Sequence, residues 1–223
     1  MEHYVDGFRL DALQATNKDL NEKKLIPKDL TYGEKAPEII KAVFEDKDTF
    51  LIMECFDPTM GNLTEYYANV GVDFVMNVQI KEQAEHEENY LIRQIANETK
   101  SEHYMLDLES HDSPRFPSRG IEPENEIWIM FNSNAKGICL YQGQELALYN
   151  PSSKDLTTEM LIDLDAETAM RVKMGEDPED LRPNSRANAR IPIPLLEYSR
   201  QEQNHNSYLN LTKRWIQLWR KRP

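Results

Sequence analysis

The sequence is short of the features that mark whole classes of protein. It has two cysteines in 223 residues, Cys55 and Cys139, too few for a disulfide framework. Both stand in apolar, strand-like runs and are expected as buried free thiols. No run approaches the roughly 20 apolar residues of a membrane span. Met1-Glu2-His3-Tyr4 offers neither the basic start nor the apolar run of a signal peptide, so none is expected. Positive charge is in the minority, with 26 basic against 39 acidic side chains and a formal charge of -13. A surface of that sign repels phosphate, which argues against nucleic acid or an anionic membrane as partner and suits a neutral ligand. The sequence shows no internal repeat or low-complexity tract. Asn62, Asn97 and Asn210 each open an Asn-x-Thr triplet, a pattern too common by chance to assign a compartment.

What is present is a chain long enough to bury a core, as one large domain or two small ones. The stretch Val5-Asp6-Gly7-Phe8-Arg9-Leu10-Asp11 reads as a short buried strand, with Gly7 allowing close backbone packing. Arg9 and Asp11 are two apart, so on a strand they leave the same face, and a guanidinium there keeps the carboxylate ionised. Residues 14–36 are polar and irregular. Ala36 to Asp46 carries Ile39, Ile40, Val43 and Phe44 at helical spacing. Thr49 to Cys55 is a compact apolar strand carrying Glu54 near its end, Asn62 to Tyr67 a helical turn, and Val72 to Asn77 the next strand. Residues 80–98 read as a polar outer helix, and Tyr104 to Leu108 leads into Ser110-His111-Asp112.

Glu124 to Ser133 places Ile127, Trp128, Met130 and Phe131 at helical spacing and precedes a strand from Gly137 to Tyr141. Residues 147–190 form a long acidic, proline-bearing insertion, helical over Thr157 to Met174 and turn over Gly175 to Pro183. Ser207 to Lys221 puts Leu209, Leu211, Trp215, Ile216, Leu218 and Trp219 on one broad face, with basic residues at the end favouring a helix terminus. Strand and helix alternate four times or more, the pattern of an α/β fold with a parallel sheet.

Gly7-Phe8-Arg9-Leu10-Asp11-Ala12 closely resembles the fourth-strand motif of the alpha-amylase superfamily, glycoside hydrolase family 13. Leu51-Ile52-Met53-Glu54 is similar to the fifth-strand motif, and Ser110-His111-Asp112-Ser113-Pro114-Arg115 to the seventh. Leu140-Tyr141-Gln142-Gly143-Gln144-Glu145-Leu146 resembles the eighth-strand segment. Tyr66-Tyr67 before Val72-Asp73-Phe74-Val75-Met76-Asn77 is similar to the sixth-strand segment of the alpha-glucosidase, or maltase, branch. The resemblance implies a partial (β/α)8 TIM-type barrel, second half only, strands four to eight, with strands one to three missing. On that reading residues 1–223 are the C-terminal portion of a glycoside hydrolase catalytic barrel, with the insertion at about 147–195.

The same resemblance implies the chemistry. Retaining glycoside hydrolysis needs two carboxyl groups about 5–5.5 Å apart, one an ionised nucleophile and one a protonated acid. Asp11 is then the nucleophile, Glu54 the general acid/base and Asp112 the third carboxylate. Arg9, His111 and Arg115 fall at substrate-binding positions. Physically, Arg9 favours the ionised form of Asp11, and the apolar neighbours Met53, Cys55 and Phe56 favour the protonated form of Glu54. Ala12, directly after the nucleophile, implies a preference for alpha-1,4 bonds, so the implied substrates are maltose and short alpha-glucosides. No cofactor is implied. Calcium binds some relatives, through a loop that belongs to the absent half.

The departures are as informative. No counterpart exists for the family's third-strand Asp and His. Ser110 stands where the family has Asn, and Gln144 where it has an acidic residue. Asn188-Ala189-Arg190-Ile191-Pro192-Ile193-Pro194-Leu195 is similar to the branch's Asn-Ala-Arg-Thr-Pro-Met-Gln-Trp with four residues changed. The expected activity of the isolated chain is therefore negligible, with open barrel edges inviting self-association. The alternative is a non-catalytic alpha-glucosidase-like module, similar to the heavy subunits of amino-acid transporters; a secreted or membrane-attached full-length protein fits either reading.

Overall fold

A computed structural model describes residues 6–11, 40, 44, 49–55, 62–69, 71–78, 95, 101–182 and 185–222. The expected loop over 14–36, the residue Ala12 and all but Ile95 of the helix expected over 80–98 lie outside them. The chain divides into two compact units, residues 1–106 with 133–139, and residues 107–132 with 140–223.

The first unit is built on a parallel sheet, β1 (Gly7–Leu10), β2 (Phe50–Cys55) and β3 (Phe74–Asn77), hydrogen-bonded in that order. Gly7 faces Phe50 so closely that a Cβ there would collide with the Phe50 carbonyl, which is why glycine opens β1. Asp73 fastens the start of β2: its Oδ2 accepts from Leu51 N over 2.7 Å, and its own N–H donates to Leu51 O over 3.0 Å. A further parallel bridge joins Val75 to Tyr104, next to β4 (Met105–Asp107), which pairs with β5 (Gly137–Cys139). Sequence-consecutive parallel neighbours are what repeated strand–helix crossovers build.

Period-two alternation sends Leu51, Met53 and Cys55 of β2 to the core and Ile52 and Glu54 to the other face. Ile40, Tyr67, Val72 and Val75 complete that core, with Leu10 and Phe44 packed on its margin. Tyr67 comes from α1 (Asn62–Asn69), whose Thr64 and Tyr67 are three apart and both buried. Ile40 and Phe44, four apart and both helical, fit the helix expected there. Phe8 departs from expectation. It is 46% exposed, because among the described strands β1 pairs only with β2 and has a neighbour on one side alone; its ring meets Phe44 at 5.6 Å between centroids.

In the second unit α2 (Pro123–Asn132) has proline in its first turn, where the missing N–H costs nothing. It buries Ile127, Met130 and Phe131 but turns Trp128 outward, 53% exposed. The acidic insertion is a chain of short capped helices: α3 (Thr158–Leu164), α4 (Ala166–Lys173) and α5 (Pro178–Leu181). Thr157, Asp165 and Asp177 cap them in turn. The single helix expected over 157–174 is thus broken at Asp165, and the turn expected over 175–183 holds a helical turn. Leu156, Leu161 and Ala187 form the core of this part. After α6 (Leu195–Gln203), Ser207 caps α7 (Tyr208–Trp219), whose Trp215 stacks on Phe131 at 6.4 Å. Of the broad apolar face read from sequence, α7 buries Leu209 alone, and Leu218 is 58% exposed. Cys55 is buried as expected, and Cys139 only partly so.

Candidate active site

Two groups of charged residues stand out, one in each unit. In the first, the sheet register does the positioning. Arg9 pairs with Ile52 and Leu10 with Met53; Asp11 follows directly after the end of β1, and Glu54 directly after Met53 on β2. Neighbouring strands lie about 4.8 Å apart, which puts the Arg9 side chain within reach of both carboxylates. Arg9 binds both. Its Nη1 is 2.8 Å from Asp11 Oδ1, and its Nη2 donates to Glu54 Oε2. The Arg9–Asp11 pair read from the sequence is therefore formed. The hold on Glu54 was not legible, since it spans two strands. Glu54 lies between the fully buried Met53 and Cys55, and its side chain is 15% exposed against 70% for Asp11. A neighbouring guanidinium favours the ionised form of a carboxyl group.

In the second unit Ser110 Oγ accepts from Asp112 N over 3.1 Å, shaping the turn that presents His111 and Asp112. Asp112 is surrounded by cations. Oδ1 accepts from Arg190 Nη2 at 2.9 Å and also from Arg186, while Oδ2 lies 3.2 Å from His111 Nε2. Arg190 Nε further donates to the His111 carbonyl over 2.9 Å. Both arginines come from the 3₁₀ turn Arg186–Ala189 and its end. Neither was singled out from the sequence as a site residue, although Arg190 lies in the segment Asn188 to Leu195 that is similar to a family motif.

Arg115, for which the resemblance implied a substrate-binding position, is a buried side chain. It is 2% exposed, and donates to Glu109 Oε2 at 3.1 Å, to Gln142 O at 2.7 Å and to Ala189 O at 3.2 Å, with its guanidinium over the Tyr141 ring. Gly143, at φ 94°, passes so near that a Cβ would lie 3.2 Å from Arg115 Nη1. Arg115 is a buried tie between three stretches of chain. Glu109 also accepts from Phe116 N at 2.6 Å; burial still pushes its carboxyl above the usual range, against those donors.

Behind it lies Glu126, entirely buried and pushed well above the usual carboxylate range by burial and then by Glu109. Gln144 donates to Glu126 Oε1 over 2.5 Å and accepts from Tyr141 N over 2.9 Å. An acidic residue in place of Gln144 would set a third carboxyl against this pair, which gives the departure from the family pattern a physical reason. Neither Glu109 nor Glu126 was picked out in the sequence.

Among the described residues no group of three or more His, Cys, Asp or Glu side chains is placed to hold a metal ion, and no helix is long and apolar enough to cross a membrane. Residues 1–218 match the family model described as the alpha amylase catalytic domain. No curated protein matches the chain.

Proposed function

Starting from the alpha-amylase family, to which this chain belongs, we propose that it carries the second half of a retaining alpha-glucosidase barrel acting on alpha-1,4 bonds of maltose and short oligosaccharides. In this reading β1 to β5 correspond to strands four to eight. The observation that carries it is the single guanidinium of Arg9 gripping Asp11, just past the end of β1, and Glu54 of the adjacent parallel strand β2. Two carboxyl groups side by side at strand ends are what a double displacement needs.

Asp11 attacks the anomeric carbon while Glu54 gives its proton to the departing glycosidic oxygen, leaving a glucosyl ester on Asp11. Glu54, now a carboxylate, takes a proton from water; the water oxygen attacks the same carbon and frees Asp11. Arg9 has a place in both steps, holding Asp11 ionised and releasing Glu54 when the latter takes its proton. Asp112 and His111 hold sugar hydroxyls. Arg115 supports the turn beneath them rather than touching substrate.

Hydrolysis of p-nitrophenyl alpha-glucoside tests this. The chain alone is expected to be inactive, and to gain turnover when co-expressed with the first-half strands of an alpha-amylase-family barrel. Turnover should vanish in Asp11→Asn. Turnover by the monomeric chain alone, or none in the reconstituted barrel, counts against the proposal. A second reading, the non-catalytic alpha-glucosidase-like module, is favoured by the ion pairs already made by Asp11, Glu54 and Asp112. It predicts sugar binding without turnover in the reconstituted barrel.

A further inference from the structure

The carboxylate of Asp165 receives more hydrogen bonds than a helix cap needs. Oδ1 accepts from Glu167 N at 3.1 Å and Thr168 N at 3.2 Å, which caps α4 in full. Oδ2 accepts from Thr168 Oγ1 at 2.9 Å, but also from Ser185 Oγ at 2.8 Å and Arg186 N at 2.7 Å, residues 20 and 21 positions away. Asp165 is 2% exposed, and this second oxygen is committed to the turn that delivers Arg186.

That turn is fastened at both ends. At its start Ser185 Oγ donates to Asp165 and accepts from Ala187 N at 3.1 Å. At its end the Ala189 carbonyl accepts from Arg115 and from Tyr141 OH at 3.0 Å. Arg190 is anchored a second time through the His111 carbonyl. The backbone of Arg186 is located by Asp165, and its guanidinium reaches Asp112. We propose that Asp165 is a positioning residue: through Arg186 it fixes the Asp112 carboxylate in the orientation that receives sugar hydroxyls. The mechanical part stands on the geometry alone; the sugar part rests on the alpha-glucosidase reading above.

Arg186 and Arg190 both donate to Oδ1 of Asp112, and His111 Nε2 lies 3.2 Å from Oδ2. Without Arg186 the carboxylate keeps Arg190 but loses one of the contacts that set its rotation. Asp165 would then govern ligand affinity from a position that touches no ligand.

Asp165→Ser separates the two jobs, because serine still caps α4 but is too short to reach Ser185 and Arg186. Asp165→Asn keeps the volume and one acceptor oxygen while turning an amide toward those donors. Two readouts apply. In nuclear magnetic resonance, rotation of the Arg186 guanidinium is expected to speed up in both variants, with the α4 signals unchanged in Asp165→Ser. In titration calorimetry on the reconstituted barrel, using the iminosugar 1-deoxynojirimycin, Asp165→Ser is expected to weaken binding about fivefold, as does Arg186→Met, and the double variant no further than either alone. Unaltered guanidinium rotation overturns the proposal, as do unaltered or tighter binding and additive losses. If wild-type protein binds no iminosugar while the rotation changes as expected, it is the glucosidase reading that fails and the tie between Asp165 and Arg186 that survives.

Discussion

Arg9 and Glu54 are joined by a guanidinium–carboxylate pair across two adjacent strands, 45 positions apart in the sequence. The same guanidinium holds Asp11. Two carboxylates that would repel each other share one cation.

Removing the cation should therefore separate stability from chemistry. The Arg9 side chain is 40% exposed, and exposed ion pairs contribute about 0–1 kcal/mol. Arg9→Met is expected to move the thermal midpoint by no more than about 2–4 °C. In the reconstituted barrel it should abolish turnover. A large thermal loss with activity retained would make the pair a structural one.

Glu54→Gln distinguishes an acid from an ion-pair partner. A glucosyl bond to an alkoxide-like leaving group needs a proton, and general acid catalysis contributes roughly 10²–10⁴-fold. Turnover of maltose is expected to fall by that order, and turnover of p-nitrophenyl alpha-glucoside, whose leaving group departs unprotonated, by much less. Equal losses on both substrates would remove Glu54 from the acid role.

The stability of the second unit should fall as pH rises through the mildly acidic range. Burial holds the Glu126 carboxyl in its protonated form above the usual range, and Glu109 shifts the same way. The folded state then binds protons that the unfolded state releases from about pH 4.5 upward, so stability is lost from there to the raised folded value. Asp165 works in the opposite direction. Burial raises its pKa, but hydrogen bonds from Ser185, Thr168 and Arg186 outweigh that and lower it, so its contribution is lost as pH falls through the folded value. Glu126→Gln is expected to flatten the descending limb and to be more stable than wild type at pH 8 in urea titrations. A less stable variant at that pH would show Glu126 to be ionised and needed so.

Arg115→Met tests the buried tie. Taking one partner from a buried ion pair costs about 3–5 kcal/mol, because Glu109 would remain without its cation. The urea midpoint should drop accordingly, and Arg115→Lys should recover only part of it, having one point charge for three directions of donation. A residue touching substrate would instead raise KM with the midpoint intact.

Legibility in the sequence follows how local each cause is. β2 and α1 were readable because Leu51, Met53 and Cys55 alternate and Asn62 to Tyr67 carry a helical turn, both properties of a few adjacent residues. Arg9 and Asp11 were readable for the same reason. The grip of Arg9 on Glu54 depends on strand register, and the approach of Arg186 to Asp112 on a turn held by Asp165, Arg115 and Tyr141. Neither leaves a mark at fixed spacing. Trp128 and Leu218 show the limit of periodicity, which gives the direction of an apolar stripe but not how much of its width a neighbour covers. The break at Asp165 could have been read: an aspartate with Glu and Thr two and three residues on is an ordinary helix start.

The two units are threaded through each other along the chain: the first takes residues 1–106 and then 133–139, and the second takes the rest. On a ribosome this sets an order of events. Synthesis proceeds at about 5–20 residues per second, and the first unit cannot finish until residue 139 has emerged. By then Asp107 to Asn132, including the turn with Asp112 and the whole of α2, is already outside and waiting for partners not yet made. Glu109 and Glu126 spend that interval in water as ordinary carboxylates, and the burial that raises the pKa of each is complete only when Gln144 and the following chain arrive.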